Sequence, residues 1–137
     1  MIKKEIRVFI KIRKIILIAI IAGAGVLLLV IGGLFVSMEY YVRKNIIYAE
    51  QKYSINGENA LIAFVLDESA PAKDRTRIAV WTLGRMRSKK ALPAFLSLYK
   101  NDPEGHTCKG RHNVVVCQYE LYKAIKRIPP GVTTNNP

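Results

Sequence analysis

The sequence predicts an all-α protein, with one apolar helix near its N-terminus followed by a short array of helical hairpins. Three observations carry that expectation. Residues 15–36 (IILIAIIAGAGVLLLVIGGLFV) contain no charged side chain. The pentapeptide ALIAF at 60–64 returns as ALPAF at 91–95, a separation of 31 residues, which is the period of a helical hairpin. Between 37 and 128 only the short VVV at 114–116 hints at a strand.

The uncharged run of 22 residues, wound as a helix, rises about 33 Å and spans a hydrocarbon layer of roughly 30 Å. It is too long for the apolar part of a cleaved signal peptide, and the following SMEYYVRK offers no small-x-small cleavage site. A retained single membrane-spanning helix is therefore expected, with Tyr40 and Tyr41 at headgroup depth. Residues 1–14 carry Lys3, Lys4, Arg7, Lys11, Arg13 and Lys14 against Glu5 alone, so the positive-inside rule puts this end in the cytoplasm. The remainder then lies outside it, in a periplasm or on an external face, where disulfides persist. Along the span Ala19 and Gly23, and Gly25 and Gly32, leave narrow faces that another helix can approach.

Residues 37–54 read as a continuation of that helix, with Val42, Ile46, Ile47 and Tyr53 available for packing. No proline- or glycine-rich linker intervenes, which implies a domain held close to the bilayer. Asn56 is placed to cap a helix over 57–67, and SAPAKD makes the next turn, with Asp74 near the start of a helix over 73–87. In that helix Ile78, Ala79, Leu83 and Met86 share one apolar side. Helices over 90–100 and 113–128 follow, the latter stopped by Pro129 and Pro130. The chain thus divides into a basic N-terminus (1–14), the span (15–36), a helical domain (37–128) and a polar, flexible tail (129–137).

Residues 79–102, AVWTLGRMRSKKALPAFLSLYKND, resemble the HEAT-like repeat of the phycobilisome-lyase type. In that repeat an Ala-rich helix ends in Leu-Gly-Arg and the next begins Ala-Leu-Pro-Ala, as Leu83, Gly84, Arg85, Ala91, Leu92, Pro93 and Ala94 do here. The resemblance implies a short HEAT-like α-solenoid. One full repeat matches. The preceding one has Lys52, Tyr53 and Ser54 where Leu, Gly and Arg belong, and YKAIKRI at 122–128 is displaced by 42 residues instead of 31. The additional 11 residues form an insertion, which in stacked repeats maps to a loop on one surface.

In or beside that insertion lies GHTCKGRHNVVVC (105–117), which holds both cysteines and both histidines of the chain: His106, Cys108, His112 and Cys117. A disulfide between Cys108 and Cys117 suits a small extracytoplasmic domain with a modest core. A tetrahedral His106, Cys108, His112, Cys117 zinc set is the alternative, although its spacing is not that of a known zinc motif. Two unrelated buried thiols are the third.

No catalytic set is visible. Glu50, Glu58, Asp67, Glu68, Asp74, Asp102, Glu104 and Glu120 fall mostly at helix ends or turns, where capping accounts for them. There is no phosphate loop, HExxH or nucleophile elbow. The lyases of the resembled type attach bilin pigments, but a fold does not bring a reaction with it. No enzyme activity, cofactor or small-molecule substrate is expected. Residues 45–137 hold 14 Lys and Arg against 8 acids, densest at Arg85, Arg87, Lys89 and Lys90. Outside the cytoplasm such charge meets lipid headgroups or acidic partners and not nucleic acid.

The expected function is thus a membrane-anchored protein–protein interaction module, an accessory or scaffold subunit of a larger membrane complex. A tethered sensor or assembly factor for transient clients is the alternative. Contact candidates are Trp81, the basic cluster, and the stripe Lys90, Pro93, Ser97 and Lys100, with Ile62 and Leu66 at repeat-equivalent positions. Tyr99, Tyr119 and Tyr122 are expected to pack.

Overall fold

A computed structural model describes the backbone of residues 2–129 and the side chains of residues 13–129. The basic side chains before Arg13 and the tail from Pro130 lie outside the described residues. Every regular element among the described residues is helical. They are α1 (Ile2–Tyr53), α2 (Gly57–Leu66), α3 (72–86), α4 (Leu92–Leu98), a 3-10 turn (His106–Cys108) and α5 (Gln118–Arg127). The chain resolves into two units, one ending at Tyr40 and one beginning at Tyr41.

The first unit is helix alone. Its large side chains from Ile15 to Val36 are exposed, Leu29 to 78% and Val36 to 72%. A continuous apolar surface of that length is far larger than the patches that water-soluble monomers tolerate. This helix is long and apolar enough to cross a membrane. A Cβ built on Gly23, Gly25 or Gly32 meets nothing within 4 Å, so these faces have room for a neighbouring helix.

The second unit packs around Phe64 and Phe95, both fully buried with Leu61, Val80, Leu83 and Leu121. The last turns of α1 contribute Ala49, fully buried, together with Ile46 and Tyr53. Tyr53 lies 5.6 Å from the Phe64 ring centre. Ile47, expected in the packing, is 53% exposed: one helical position is about 100° of rotation, so Ile46 and Ala49 share the core side and Ile47 does not. At the start of α2, Asn56 occupies the cap position without a side-chain bond. Glu50 of α1 accepts the Gly57 N–H in its place, so the cap comes from the preceding helix.

Helix α3 is a single helical run with a π-helical stretch at Arg75–Val80. The Trp81 N–H reaches Thr76 O, five residues back, and this extra residue in the ring advances the phase of everything after it. Ala79, Val80 and Leu83 are buried, whereas Ile78 is half-buried and Met86, beyond the π-helical stretch, is 39% exposed. The buried Arg75 turns its Nε to Val65 O, 2.8 Å away in the last turn of α2, where a cation complements the helix dipole.

Helices α3 and α5 meet backbone to backbone. A Cβ on Gly84 would lie 2.9 Å from Ala124 Cβ and 3.1 Å from its Cα. Helix α5 starts at Gln118 and not at 113, because Val114 and Val115 donate to Arg111 O in a turn. Cys117 adopts an extended conformation at the cap, and no strand forms at 114–116.

The Gly84 contact yields a prediction. Gly84→Val would force α3 and α5 apart and cost about 1–3 kcal/mol, the usual range for overpacking. Denaturant unfolding of the full chain in detergent should show a lower midpoint, whereas Gly110→Ala, with open space around its Cβ but a positive φ, should cost less.

Candidate functional site

The segment between α4 and α5 is built on three polar side chains. Gln118, buried at the first position of α5, closes its base: its Oε1 accepts the Lys100 N–H at 2.7 Å and its Nε2 donates to Leu98 O at 3.1 Å. Asp102 organises the 3-10 turn. Its Oδ1 accepts the His106 N–H at 3.0 Å, and its Oδ2 accepts the Thr107 N–H at 2.8 Å and the Thr107 hydroxyl at 2.7 Å. Thr76, buried in the π-helical part of α3, accepts the Cys117 N–H at 3.1 Å and donates its own hydroxyl to Ala72 O. The loop is therefore tied to α4, to itself and to α3. Gly105, at φ 71°, leaves room where a Cβ would come within 3.1 Å of Cys108 Sγ.

These ties bring the two cysteine sulfurs 2.9 Å apart, both side chains buried. That is within about 1 Å of a bonded disulfide distance. Ligand atoms of Cys108, His112 and Cys117 all lie within 4.8 Å of one another. His106 is not among them. Its ring nitrogens lie 3.5 Å from Asp102 and 3.2 Å from Glu104 on the exposed side of the turn. The arrangement thus supplies three soft ligands, one short of a closed structural zinc site. Burial, followed by the hydrogen bond with Cys108, pushes the Cys117 thiol above its ordinary pKa, so this is not an activated thiolate.

Beside the loop lies a groove of about 1150 Å³, lined wholly by residues of the second unit. Helix α3 contributes Lys73, Arg77 and Trp81 at four-residue spacing, which sets them along one side of the helix. Lys44 and Asn45 come from α1, Tyr119 and Lys123 from α5, and His112 and Asn113 from the loop. Asn45 Nδ2 donates to Thr82 Oγ1 at 2.8 Å, fixing the α1 wall on α3. Lys123 is held 2.9 Å from Glu120 and 4.7 Å from the centre of the Tyr119 ring.

Other residues singled out in the sequence fall elsewhere. Lys90, Pro93, Ser97 and Lys100 are all exposed, and Lys90 lies 3.8 Å from Glu58. Leu66 is 47% exposed, while Ile62 is half-buried against the core. Arg87 and Lys89 are exposed, and Arg87 ends α3 in the left-handed conformation. The Arg85 guanidinium lies 5.5 Å from the centre of the Trp81 ring, which brings two of the candidates together. Tyr99 and Tyr122 stack at 6.4 Å, and Tyr119 is 45% exposed. Lys73 and Arg77 stand eight and four residues before Trp81, a spacing present in the sequence, although the basic residues are denser at 85–90. Gln118 and Thr76 carried no sequence signal, since their partners are 18 and 41 residues away.

Asp102 provides a pH test. Hydrogen bonds from the Thr107 amide and hydroxyl, then from the His106 and Gly105 amides, lower its pKa to about 2. A depressed folded-state pKa means that its contribution to stability is complete above about pH 4 and is lost as the pH falls towards 2. NMR titration of the Asp102 carboxyl should give a midpoint near that value. Asp102→Asn should make thermal stability fall less steeply over this window than it does in the wild type, where Asp67, also lowered to about 2 by its bonds with Ser69 and Tyr53, titrates too.

No family model matches the chain, and no curated protein or solved structure matches it either, so any functional reading rests on these residues and their geometry.

Proposed function

We propose that this chain is a membrane-anchored protein–protein interaction module, an accessory or scaffold subunit of a larger membrane complex. The observation that carries the reading is helix α1. Residues 15–36 of this unbroken helix present an exposed apolar surface, and the same helix from Tyr41 onward supplies core residues to a small helical unit. The surplus of cations before residue 15 favours a cytoplasmic N-terminus and a second unit outside the cytoplasm. Leu83, Gly84 and Arg85, followed by Ala91, Leu92, Pro93 and Ala94, support a HEAT-like hairpin repeat, an architecture that commonly presents binding surfaces. Three hairpins make a short array, which a partner would help to complete.

In that compartment the two thiols close to a disulfide. They lose two protons and two electrons to an oxidised thiol–disulfide exchange partner, and the new bond clasps the loop to the start of α5. The proximity of the sulfurs supports this.

Two measurements test the reading. Native mass spectrometry of the protein drawn from its own membrane in mild detergent should show an assembly of fixed stoichiometry. A lone monomer would overturn the constitutive-subunit assignment in favour of transient clients. For the clasp, the unreduced chain should weigh two hydrogens less than the reduced chain and resist alkylation. The Cys108→Ser, Cys117→Ser double variant should lose about 2–3 kcal/mol, the closure entropy of a short loop. Zinc retained by unalkylated protein would replace the disulfide with a metal site.

A further inference from the structure

The groove has four features that bear on its occupant. Its volume, about 1150 Å³, exceeds the roughly 300–1000 Å³ of ordinary small-molecule sites. Its lining holds the cations Lys44, Lys73, Arg77 and Lys123 against the acids Asp74 and Glu120. Of these, Glu120 is already engaged by Lys123, while Lys44, Lys73 and Arg77 enter none of the ion pairs among the described residues. Finally, Lys73, Arg77 and Trp81 recur every four residues, which sets them in a row along one side of α3.

We infer that this groove seats an acidic segment of a partner protein, in which two carboxylates meet Lys73 and Arg77 and an apolar side chain rests on Trp81. The inference rests on the interaction-module reading and names the chemistry of the partner. A partner helix with acid, acid and apolar residues at four-residue spacing presents a row of matching chemistry to the α3 row. Individual exposed ion pairs contribute little. Several cations in one concavity beside a half-buried tryptophan form the arrangement in which interface energy concentrates. Lys44, from α1, extends the positive wall, and the exposed His112 on the loop adds a donor. A lipid headgroup phosphate shares the affinity for cations, but a single phosphate is too small to span the row from Lys73 through Arg77 to Trp81.

The test uses the full chain in phosphatidylcholine nanodiscs, and its readout is fluorescence of Trp81, the single tryptophan of the protein. The probe is a synthetic helical peptide carrying Glu, Glu and Leu at four-residue spacing on one face. The expected result is a saturable change in Trp81 emission that weakens as salt is raised. Arg77→Glu should weaken binding at least tenfold, whereas Lys89→Glu, at an exposed position outside the groove, should leave it within twofold. Circular dichroism confirms that both variants keep their helicity. Equal weakening by Lys89→Glu would mean diffuse charge attraction and would overturn the proposal. So would a silent Trp81 with the peptide, whether or not it responds to phosphatidylglycerol in the nanodisc. A fixed-stoichiometry native complex with a silent Trp81 removes this inference and leaves the subunit reading. A lone native monomer whose Trp81 answers the peptide does the reverse.

Discussion

The second unit depends on the close approach of α3 and α5 at Gly84 and Ala124. Only the absence of a side chain at 84 lets the two backbones come so near. With α5 held there, its first residues fall beside the π-helical part of α3, where Thr76 can receive the Cys117 amide. Gln118 then reaches back to Leu98 and Lys100, and the long connection from α4 is closed at its base. A larger residue at 84 would disturb the loop as well as the helix pair, because every tie of the loop to the core starts from the position of α5.

The groove is a consequence of the same packing. The walls come from α1, α3, α5 and the loop, four pieces of chain brought together by Asn45 on Thr82 and by the anchors just described. The π-helical stretch matters here too. Around it Val80 and Leu83 are buried while Lys73, Arg77 and Trp81 line the groove. Strained or irregular helical turns beside a concavity are a familiar location for function. The buried polar residues Thr76, Thr82 and Gln118 all have partners, so the irregular region is stable without leaving hydrogen-bonding groups unmet.

The cysteines lie at the end of this chain of constraints. Burial pushes the Cys117 thiol above its ordinary pKa, and both sulfurs are buried, away from the exposed surroundings of a reactive thiol. His112 is the only one of the two histidines that converges on them. His106 is drawn instead to the acids of its own turn, where Asp102 has already organised the backbone.

By itself the sequence determined what depends on neighbours along the chain: an apolar helix from an uncharged run, the helical character of the described residues that follow it, and the continuation of α1 to residue 53. Helical periodicity and the exclusion of charge act over a few residues, so they can be read locally. Details changed where side chains or turns took over that helical periodicity does not show, as when Glu50 capped α2 in place of Asn56 and when the turn on Arg111 O delayed α5. The tertiary structure alone decided which three of the four soft ligands converge, that Val80 joins Ala79 and Leu83 in the core while Met86 does not, and that Lys73, Arg77 and Trp81 line a groove. Those outcomes depend on a π-helical turn and on contacts between residues far apart in the chain, and no periodicity in the sequence encodes the distance between such residues.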